Sequence, residues 1–275
     1  MRNLMIDKKK FDEDGYLLVR NVFTAAEIEQ FRRLTCEQFD IDKKNNLDVY
    51  YPEAPKAKFV KGDLLSKEKL HQVLLDDRIL QIARVLLGSD SIIYFGDSSY
   101  QVGTGLRGFH RDNIDRTNLD GPDWKGHYTL VRFGIYLQNH KSYSGGLQIK
   151  VGSHRNADGK VVFVGNRSGD VVAWNLRTLH SGNAVRLKLF PNVSLRDGRE
   201  ATVPKFLKKD EQCERISLFM TFALRSSHLN RFIHEYSLKR PDTIENLKAS
   251  RYESAVLRMA EKKLEIMKLV PEQGH

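Results

Sequence analysis

Cysteine is scarce in this sequence, and long apolar runs are missing from it. The chain of 275 residues has two cysteines, Cys36 and Cys213, which are too far apart to suggest a metal-binding pair. We expect them to be free thiols of a reducing compartment. No stretch reaches the roughly 18 consecutive apolar residues of a membrane span, and residues 1–11 lack the apolar run of a secretory signal. These absences predict a cytoplasmic protein without integral membrane association.

Positive charge exceeds negative charge. Lysine and arginine number 45 against 35 acidic residues, which gives a formal net charge of +10. Basic proteins meet nucleic acids, anionic lipids or phosphorylated ligands. Because the charge is scattered over the chain, no nucleic-acid partner is expected. A nucleic-acid demethylase stays open as an alternative, which strongly salt-dependent binding would reveal.

Short runs of β-forming residues, separated by turn residues, follow one another from Ser91 onward. Such a series of short strands is typical of a β-sandwich or jelly roll. The runs are Ile92–Phe95, Tyr128–Gln138, Gly146–Val151, Val161–Val164, Asp170–Trp174 and Ile216–Leu224. The sequence therefore predicts a mainly β fold.

Helical patterns flank this β region on both sides. A capping box at Thr24 precedes apolar residues at helical spacing, and further helical patterns cover Lys67–Leu87 and Thr243–Val270. We expect one domain over residues 1–275. Its parts are a core of about residues 11–225, a polar and basic insertion over 181–214, and a C-terminal helical segment over 226–275.

A histidine and an aspartate stand two positions apart at His110 and Asp112. In an extended segment such residues point to the same side, so both side chains can reach one metal ion. A second histidine would complete a two-histidine, one-carboxylate site that leaves coordination positions open. His180 ends an apolar strand and is separated from Asp112 by enough chain to return beside it. The pair alone is weak evidence, because one His-x-Asp is expected by chance in many sequences.

Four segments, in order, resemble the phytanoyl-CoA dioxygenase family. They are Phe11-x-x-x-Gly15-Tyr16, the His110-x-Asp112 pair, the Gly-Gly-Leu-x-x-x-x-Gly-Ser-His-Arg run of 145–155, and the 169–172 turn with the residues around His180. The resemblance implies a double-stranded β-helix of cupin-like jelly-roll type, with N-terminal and C-terminal helices packed on it. It also implies Fe(II) held by His110, Asp112 and His180, with 2-oxoglutarate and O₂ as co-substrates of a hydroxylase. His154, within the Gly-Ser-His-Arg turn, is expected to organise its loop.

The family resemblance further implies an arginine that binds the distal carboxylate of 2-oxoglutarate. Arginine suits this role because its planar guanidinium donates two parallel hydrogen bonds. Arg215, at the head of the last strand, is the first candidate. Arg186 is the alternative, because the insertion separates Arg215 unusually far from His180. Tyr100 and Gln101 are expected to line the co-substrate pocket, and Ser181 is a further candidate there.

The basic insertion has two interpretations. It forms a lid that receives a small anionic metabolite as substrate, or it is a solvated loop. A cupin-type metal-binding or isomerase module without oxygen chemistry is a second functional alternative.

Overall fold

The computed structural model describes residues 4–50, 57–103, 108–156, 159–190, 193, 195 and 202–269. Two β-sheets face each other, and helices cover the outer face of the larger one. Within these residues, no helix combines the length and the apolar character needed to cross a membrane. Cys36 and Cys213 are free, as predicted, and both are exposed.

The helices lie before and after the central strands. The capping box at Thr24 is present and begins α2, as predicted. The pattern over Lys67–Leu87 yields two helices, because Asp76 is extended and its side chain caps the second of them through the Arg78 N–H. The α-helices are α1 (Lys8–Asp14), α2 (Ala25–Lys44), α3 (His71–Leu74), α4 (Asp77–Leu87), α5 (Ser227–Arg231), α6 (Pro241–Ala249) and α7 (Ser254–Glu261).

The strands form a large and a small sheet. They are β1 (Tyr16–Val19), β2 (Asp48–Val49), β3 (Ala57–Val60), β4 (Ile93–Tyr94), β5 (Ser98–Gly103), β6 (Leu130–Tyr136), β7 (Gly146–Lys150), β8 (Val161–Val164), β9 (Val171–Asn175), β10 (His180–Ala184), β11 (Ile216–Ala223) and β12 (Glu265–Ile266). The large sheet has the order β1-β9-β6-β11-β5-β3-β2, with β4 paired to β11 and β12 paired to β4, and the small sheet has the order β10-β7-β8. The predicted mainly β fold with flanking helices is confirmed.

Two apolar layers result from the alternation of side chains along the strands. One face of the large sheet packs against the helices, as Phe133 and Leu218 do in the main core. The other face meets the small sheet, where Trp174 and Tyr136 pack with Ile149. A polar side chain in this second layer therefore lies between the two sheets, which is where a site can be enclosed.

The C-terminal helical segment departs from the prediction of one helical stretch over Thr243–Val270. α6 ends at Ala249, α7 follows, and the chain then forms β12 parallel to β4. The Glu265 N–H donates to the Ile92 carbonyl (3.0 Å) and the Met267 N–H to the Tyr94 carbonyl (2.8 Å). The apolar spacing was therefore created partly by residues that face the core from a strand, which a helical period cannot distinguish over so short a stretch.

Candidate active site

Backbone hydrogen bonds place the two predicted histidines opposite each other. The His110 N–H donates to the His180 carbonyl (2.9 Å), and the His180 N–H returns a bond to the His110 carbonyl (3.0 Å). The Asp112 N–H donates to the Leu176 carbonyl (2.9 Å). The segment that carries the His-x-Asp pair therefore runs beside the start of β10, so residues 68 positions apart meet.

The side chains of His110, Asp112 and His180 converge. One ligand atom from each lies within 4.8 Å of the other two. His180 Nε2 is 3.5 Å from Asp112 Oδ2, and His110 Nε2 is 3.7 Å from Asp112 Oδ1. Asp112 Oδ2 is buried and accepts no hydrogen bond of good geometry from the described residues, although the Arg132 guanidinium lies 3.1 Å away as an ion-pair partner. Buried acceptors are normally satisfied, so this oxygen is suited to a cation at the point where the three side chains meet.

Both imidazole rings are oriented for metal binding. His110 Nδ1 is 2.9 Å from the Gly108 carbonyl, and His180 Nδ1 is 2.9 Å from the Thr178 carbonyl. A carbonyl only accepts, so each Nδ1 carries the hydrogen and each Nε2 presents a lone pair toward Asp112. Backbone contacts of this kind fix the tautomer and ring orientation of metal-binding histidines.

The protonation states also suit a cation. Burial lowers the pKa of His180 to about 4, which keeps the ring neutral near pH 7. Burial alone would raise the pKa of the Asp112 carboxyl, but Arg132 and the two histidines together bring it below its ordinary value. A neutral imidazole and an ionised carboxylate are the forms that bind metals.

Arg132, on β6, is a site residue that the sequence analysis missed. Its Nη1 is 3.1 Å from Asp112 Oδ2, its Nη2 donates to Asp97 Oδ2 (2.6 Å), and its Nε donates to Thr221 Oγ1 (3.0 Å). The three contacts hold the guanidinium beside the candidate metal ligand. The signal was present in the sequence, because Arg132 is the one charged residue within the apolar strand Leu130–Tyr136.

Arg215 lies between the sheets, as a co-substrate ligand would require. It is 3% exposed, its Nε donates to the Gly145 carbonyl (3.2 Å), and its Nη1 donates to Ser217 Oγ (3.0 Å). The guanidinium lies 5.3 Å from the Tyr136 ring centre. No carboxylate of a described residue forms a salt bridge with it. A side chain built on Gly182, two residues after His180, would begin 4.0 Å from Arg215 Nη2.

Arg186 lies elsewhere. Its guanidinium is 5.1 Å from the Phe163 ring centre, and Phe163 is in register with Gln148, which is in register with Ser181. Phe163, Gln148 and Ser181 therefore share one face of the small sheet, and His180 and Ile149 share the opposite face. Of the two arginine candidates, Arg215 shares the layer of the metal triad.

The three remaining predicted residues, Gln101, Ser181 and Tyr100, differ in the direction that their side chains face. Gln101 pairs in register with Ser217, the neighbour of the Arg215 guanidinium, and so faces the same layer. Ser181 is fully buried, and its hydroxyl accepts from the Gly108 N–H (3.3 Å) and donates to the Gly182 carbonyl (3.4 Å). The prediction for Tyr100 is wrong: adjacent strand residues face opposite sides, and its hydroxyl donates to Asp42 Oδ2 (2.6 Å) on the helix-covered face.

His154 holds the N-terminal motif in place. Its Nε2 is 3.0 Å from the Asp12 carbonyl, and a side chain on Gly15 would begin 2.3 Å from its Nδ1. Gly15 has φ +78° and ends α1. The glycine and the Gly-Ser-His-Arg turn thus fit each other, and His154 lies outside the metal triad.

The insertion predicted as a lid over 181–214 is described only in part, since residues 191–192, 194 and 196–201 fall outside the described residues.

A β-fold with two facing sheets and a His-Asp-His cluster, of which Asp112 and His180 are buried, is typical of metal-binding β-sandwich proteins. Comparison with known proteins then identifies the family. The sequence model of the phytanoyl-CoA dioxygenase family matches residues 11–186, and the chain belongs to that family.

Two curated relatives match part of the chain. Ectoine dioxygenase of Streptomyces coelicolor is 25% identical over 153 residues, and that of Stutzerimonas stutzeri is 24% identical over 152. Each match covers 54% of this chain, and 50% and 49% of the respective relatives. The matched region thus spans about half the length of these relatives.

Solved structures share the fold. EctD from S. alaskensis, with 2-oxoglutarate and 5-hydroxyectoine, has a TM-score of 0.57 at 15% identity over 96% of this chain and 87% of its own. HygX from Streptomyces hygroscopicus, with nickel and 2-oxoglutarate bound, has a TM-score of 0.54 at 17% identity over 80% of this chain and 88% of its own.

Proposed function

We propose that this protein is a 2-oxoglutarate-dependent non-haem iron dioxygenase that oxidises a C–H bond of a small polar metabolite, most simply by hydroxylation. The observation that carries the proposal is the convergence of His110, Asp112 and His180 within 4.8 Å. The family match and the 2-oxoglutarate in the solved structures of similar fold support it.

The three side chains would hold Fe(II) through two Nε2 atoms and the Asp112 carboxylate. Bound iron with 2-oxoglutarate and O₂ supplies the oxidising power, with release of succinate and CO₂. The protein's part is to orient the ligands and to enclose the site. The carboxylate at Asp112 fills a position that would otherwise be open to another anion, which favours hydroxylation.

Arg215 is proposed to bind the distal carboxylate of 2-oxoglutarate. It is buried, it donates to the Gly145 carbonyl and the Ser217 hydroxyl, and a dicarboxylate would pair its charge. Gln101 faces the same layer and is proposed to line the co-substrate pocket. A cupin-type module without oxygen chemistry has no ketoacid to bind, so the buried cation at Arg215 favours the oxygenase.

A cavity of about 330 Å³ reaches the site through Arg132 and is proposed to hold the metabolite. Arg132, which touches Asp112, forms part of its wall together with Asp97 and Ser99, and the C-terminal helical segment closes it through Tyr236 and Arg240. Its size suits a small metabolite.

The charges in this cavity are matched. Arg132 pairs with Asp97, Lys61 with Glu245 (2.8 Å), and Arg240 with Asp242 (2.5 Å). A cavity with paired charges favours a neutral or zwitterionic metabolite over the anionic one expected from the net charge. Ectoine is the first compound to test, because the two curated relatives are named for it.

Anaerobic titration with Fe(II) and 2-oxoglutarate tests the co-substrate assignment. The wild-type chain is expected to develop the weak visible charge-transfer band of an iron-bound ketoacid. An Arg215→Gln variant should need at least about tenfold more 2-oxoglutarate, the effect of losing one good charge-assisted interaction. Arg186→Gln is the matched control and should behave like the wild type. Loss of the band in the Arg186→Gln variant alone would transfer the role to Arg186.

A further inference from the structure

A second cavity, of about 300 Å³, lies between α1 and the loop that precedes β6. We call it the α1 cleft, and its lining includes Phe11, Trp124, His127, His154, Arg155 and Arg177. None of these residues belongs to the metal triad or to the proposed 2-oxoglutarate pocket. The function proposed above does not use this cavity.

Arg177 is a buried cation in the α1 cleft without an anionic partner. It is 8% exposed, and its Nη1 donates to the backbone carbonyl of Asp123 (3.2 Å). Its Nε is buried and has no hydrogen-bond partner among the described residues. The guanidinium lies 5.7 Å from the ring centre of Trp124 and 5.1 Å from that of Tyr128. Aromatic faces attract a cation, but they do not satisfy its N–H groups.

The neighbouring carboxylate is already engaged. Asp123 Oδ1 pairs with Arg231 (2.8 Å), and its Oδ2 accepts from the Asn113 side chain (3.2 Å) and the Ile114 N–H (2.8 Å). No salt bridge joins Arg177 to any residue that the structure describes. A buried guanidinium whose donors are partly unsatisfied is unfavourable unless a ligand completes its hydrogen bonds.

Further basic side chains lie at or near the same cleft. Arg155 and His127 are exposed at its rim. Arg111 is 8% exposed, lies 5.2 Å from the Trp124 ring centre, and donates to the Arg177 carbonyl (2.9 Å) and the Ser153 carbonyl (3.3 Å). Its described partners are carbonyls, which leave its charge uncompensated. Asp12, the acid in the lining, pairs with Lys8 (2.9 Å).

We infer that the α1 cleft binds a phosphate group, with Arg177 as its buried ligand and Arg155 and His127 at the rim. Arginine presents a planar set of donors that matches phosphate oxygens, and a doubly charged anion compensates more than one guanidinium at once. The phosphate is a free ion or the terminal group of a small organic ligand. This site is separate from the metal site and does not depend on the proposed oxygenase activity.

Calorimetric titration of the full chain with inorganic phosphate tests the inference. Sodium chloride keeps the ionic strength constant, and phenyl phosphate serves as a second probe. Wild-type protein should bind one phosphate per chain, and Arg177→Gln should weaken the affinity at least tenfold. Arg155→Gln should weaken it about threefold, because that side chain is at the exposed rim. Arg33→Gln, an exposed arginine of α2, is the matched control and should leave the affinity unchanged.

Two additional variants secure the result. If Arg177→Gln does not fold, the double variant Arg155→Gln with His127→Gln keeps the test, and it should lose at least fivefold in affinity. Asp112→Asn should bind phosphate as well as the wild type, which separates this cleft from the metal site. Binding of phenyl phosphate as tight as that of phosphate supports an organic ligand, and exclusion of the ester supports the free ion. Absence of binding to the wild type at 10 mM, on the order of the weakest affinity of a specific site, or equal binding by all arginine variants would overturn the inference.

Discussion

Replacing Arg132 should show whether its salt bridge with Asp112 only stabilises the fold or also compensates the charge of a metal ligand. Its guanidinium touches the Asp112 carboxylate at 3.1 Å and the Asp97 carboxylate at 2.6 Å. Two charges about 4 Å apart at an effective dielectric constant near 20 interact by about 4 kcal/mol. Removing one member of a buried pair typically costs about 3–5 kcal/mol, because the other charge is left uncompensated. We expect Arg132→Met to lose stability in that range when the protein is metal-free.

A bound metal ion should reduce that loss. A divalent cation between Asp112 and the two histidines would itself compensate the carboxylate, so Mn²⁺ should stabilise Arg132→Met by at least about 1 kcal/mol more than it stabilises the wild type. Urea unfolding with and without Mn²⁺ measures both free energies. Asp97→Asn is the control, since it leaves the Arg132–Asp112 contact intact and should respond to Mn²⁺ as the wild type does. Equal stabilisation of Arg132→Met and wild type by Mn²⁺ would refute the reasoning.

Three further predictions concern stability, the N-terminal motif and the co-substrate pocket. Burial lowers the pKa of His140 to about 3, so the folded state favours the neutral ring. The stability that depends on this neutral ring is fully present above pH 6.5, and it is lost as the pH falls toward 3. At pH 5 this loss is about 2 kcal/mol, and pH-dependent unfolding of His140→Asn should show a correspondingly flatter profile, whereas an unchanged profile would contradict it. Gly15→Ala should lose about 2–4 kcal/mol, from its positive φ and its contact with His154, and a smaller loss in a His154→Ala background, measured by urea unfolding, would demonstrate the coupling. Gly182→Leu should weaken 2-oxoglutarate binding at least tenfold, because its side chain would extend toward Arg215, without a matching loss of thermal stability; unaltered 2-oxoglutarate affinity would place the co-substrate elsewhere.

The His-x-Asp part of the candidate metal site was accessible from local rules, whereas His180, 68 positions from Asp112, was assigned with the support of the family resemblance. The His-x-Asp spacing puts two side chains on one side of an extended segment, and β strands bring His180 back beside them. The capping box at Thr24 and most strands follow equally from short patterns. The His-x-Asp spacing, the capping box and the strand runs need only neighbouring residues to be specified.

Features that depend on which face of a strand is buried were harder to predict. Tyr100 and Gln101 are adjacent, and only the register with β11 decides that Gln101 shares the layer of Ser217 while Tyr100 faces Asp42. The C-terminal strand β12 forms by pairing with β4, more than 160 residues earlier in the chain. Arg132 stands out as the charged residue of an apolar strand, but its partners Asp97 and Asp112 lie on other segments and could not be identified from that strand alone. Such long-range pairings are not encoded in a local pattern.

Fe(II) stoichiometry under anaerobic conditions tests the central claim most directly. Equilibrium dialysis should give one Fe(II) per chain for the wild type and for His234→Ala, in which an exposed histidine is removed. His180→Ala should lose most of its bound iron, because one of three ligands is gone. Retention of one tightly bound Fe(II) by His180→Ala would contradict a site built from His110, Asp112 and His180.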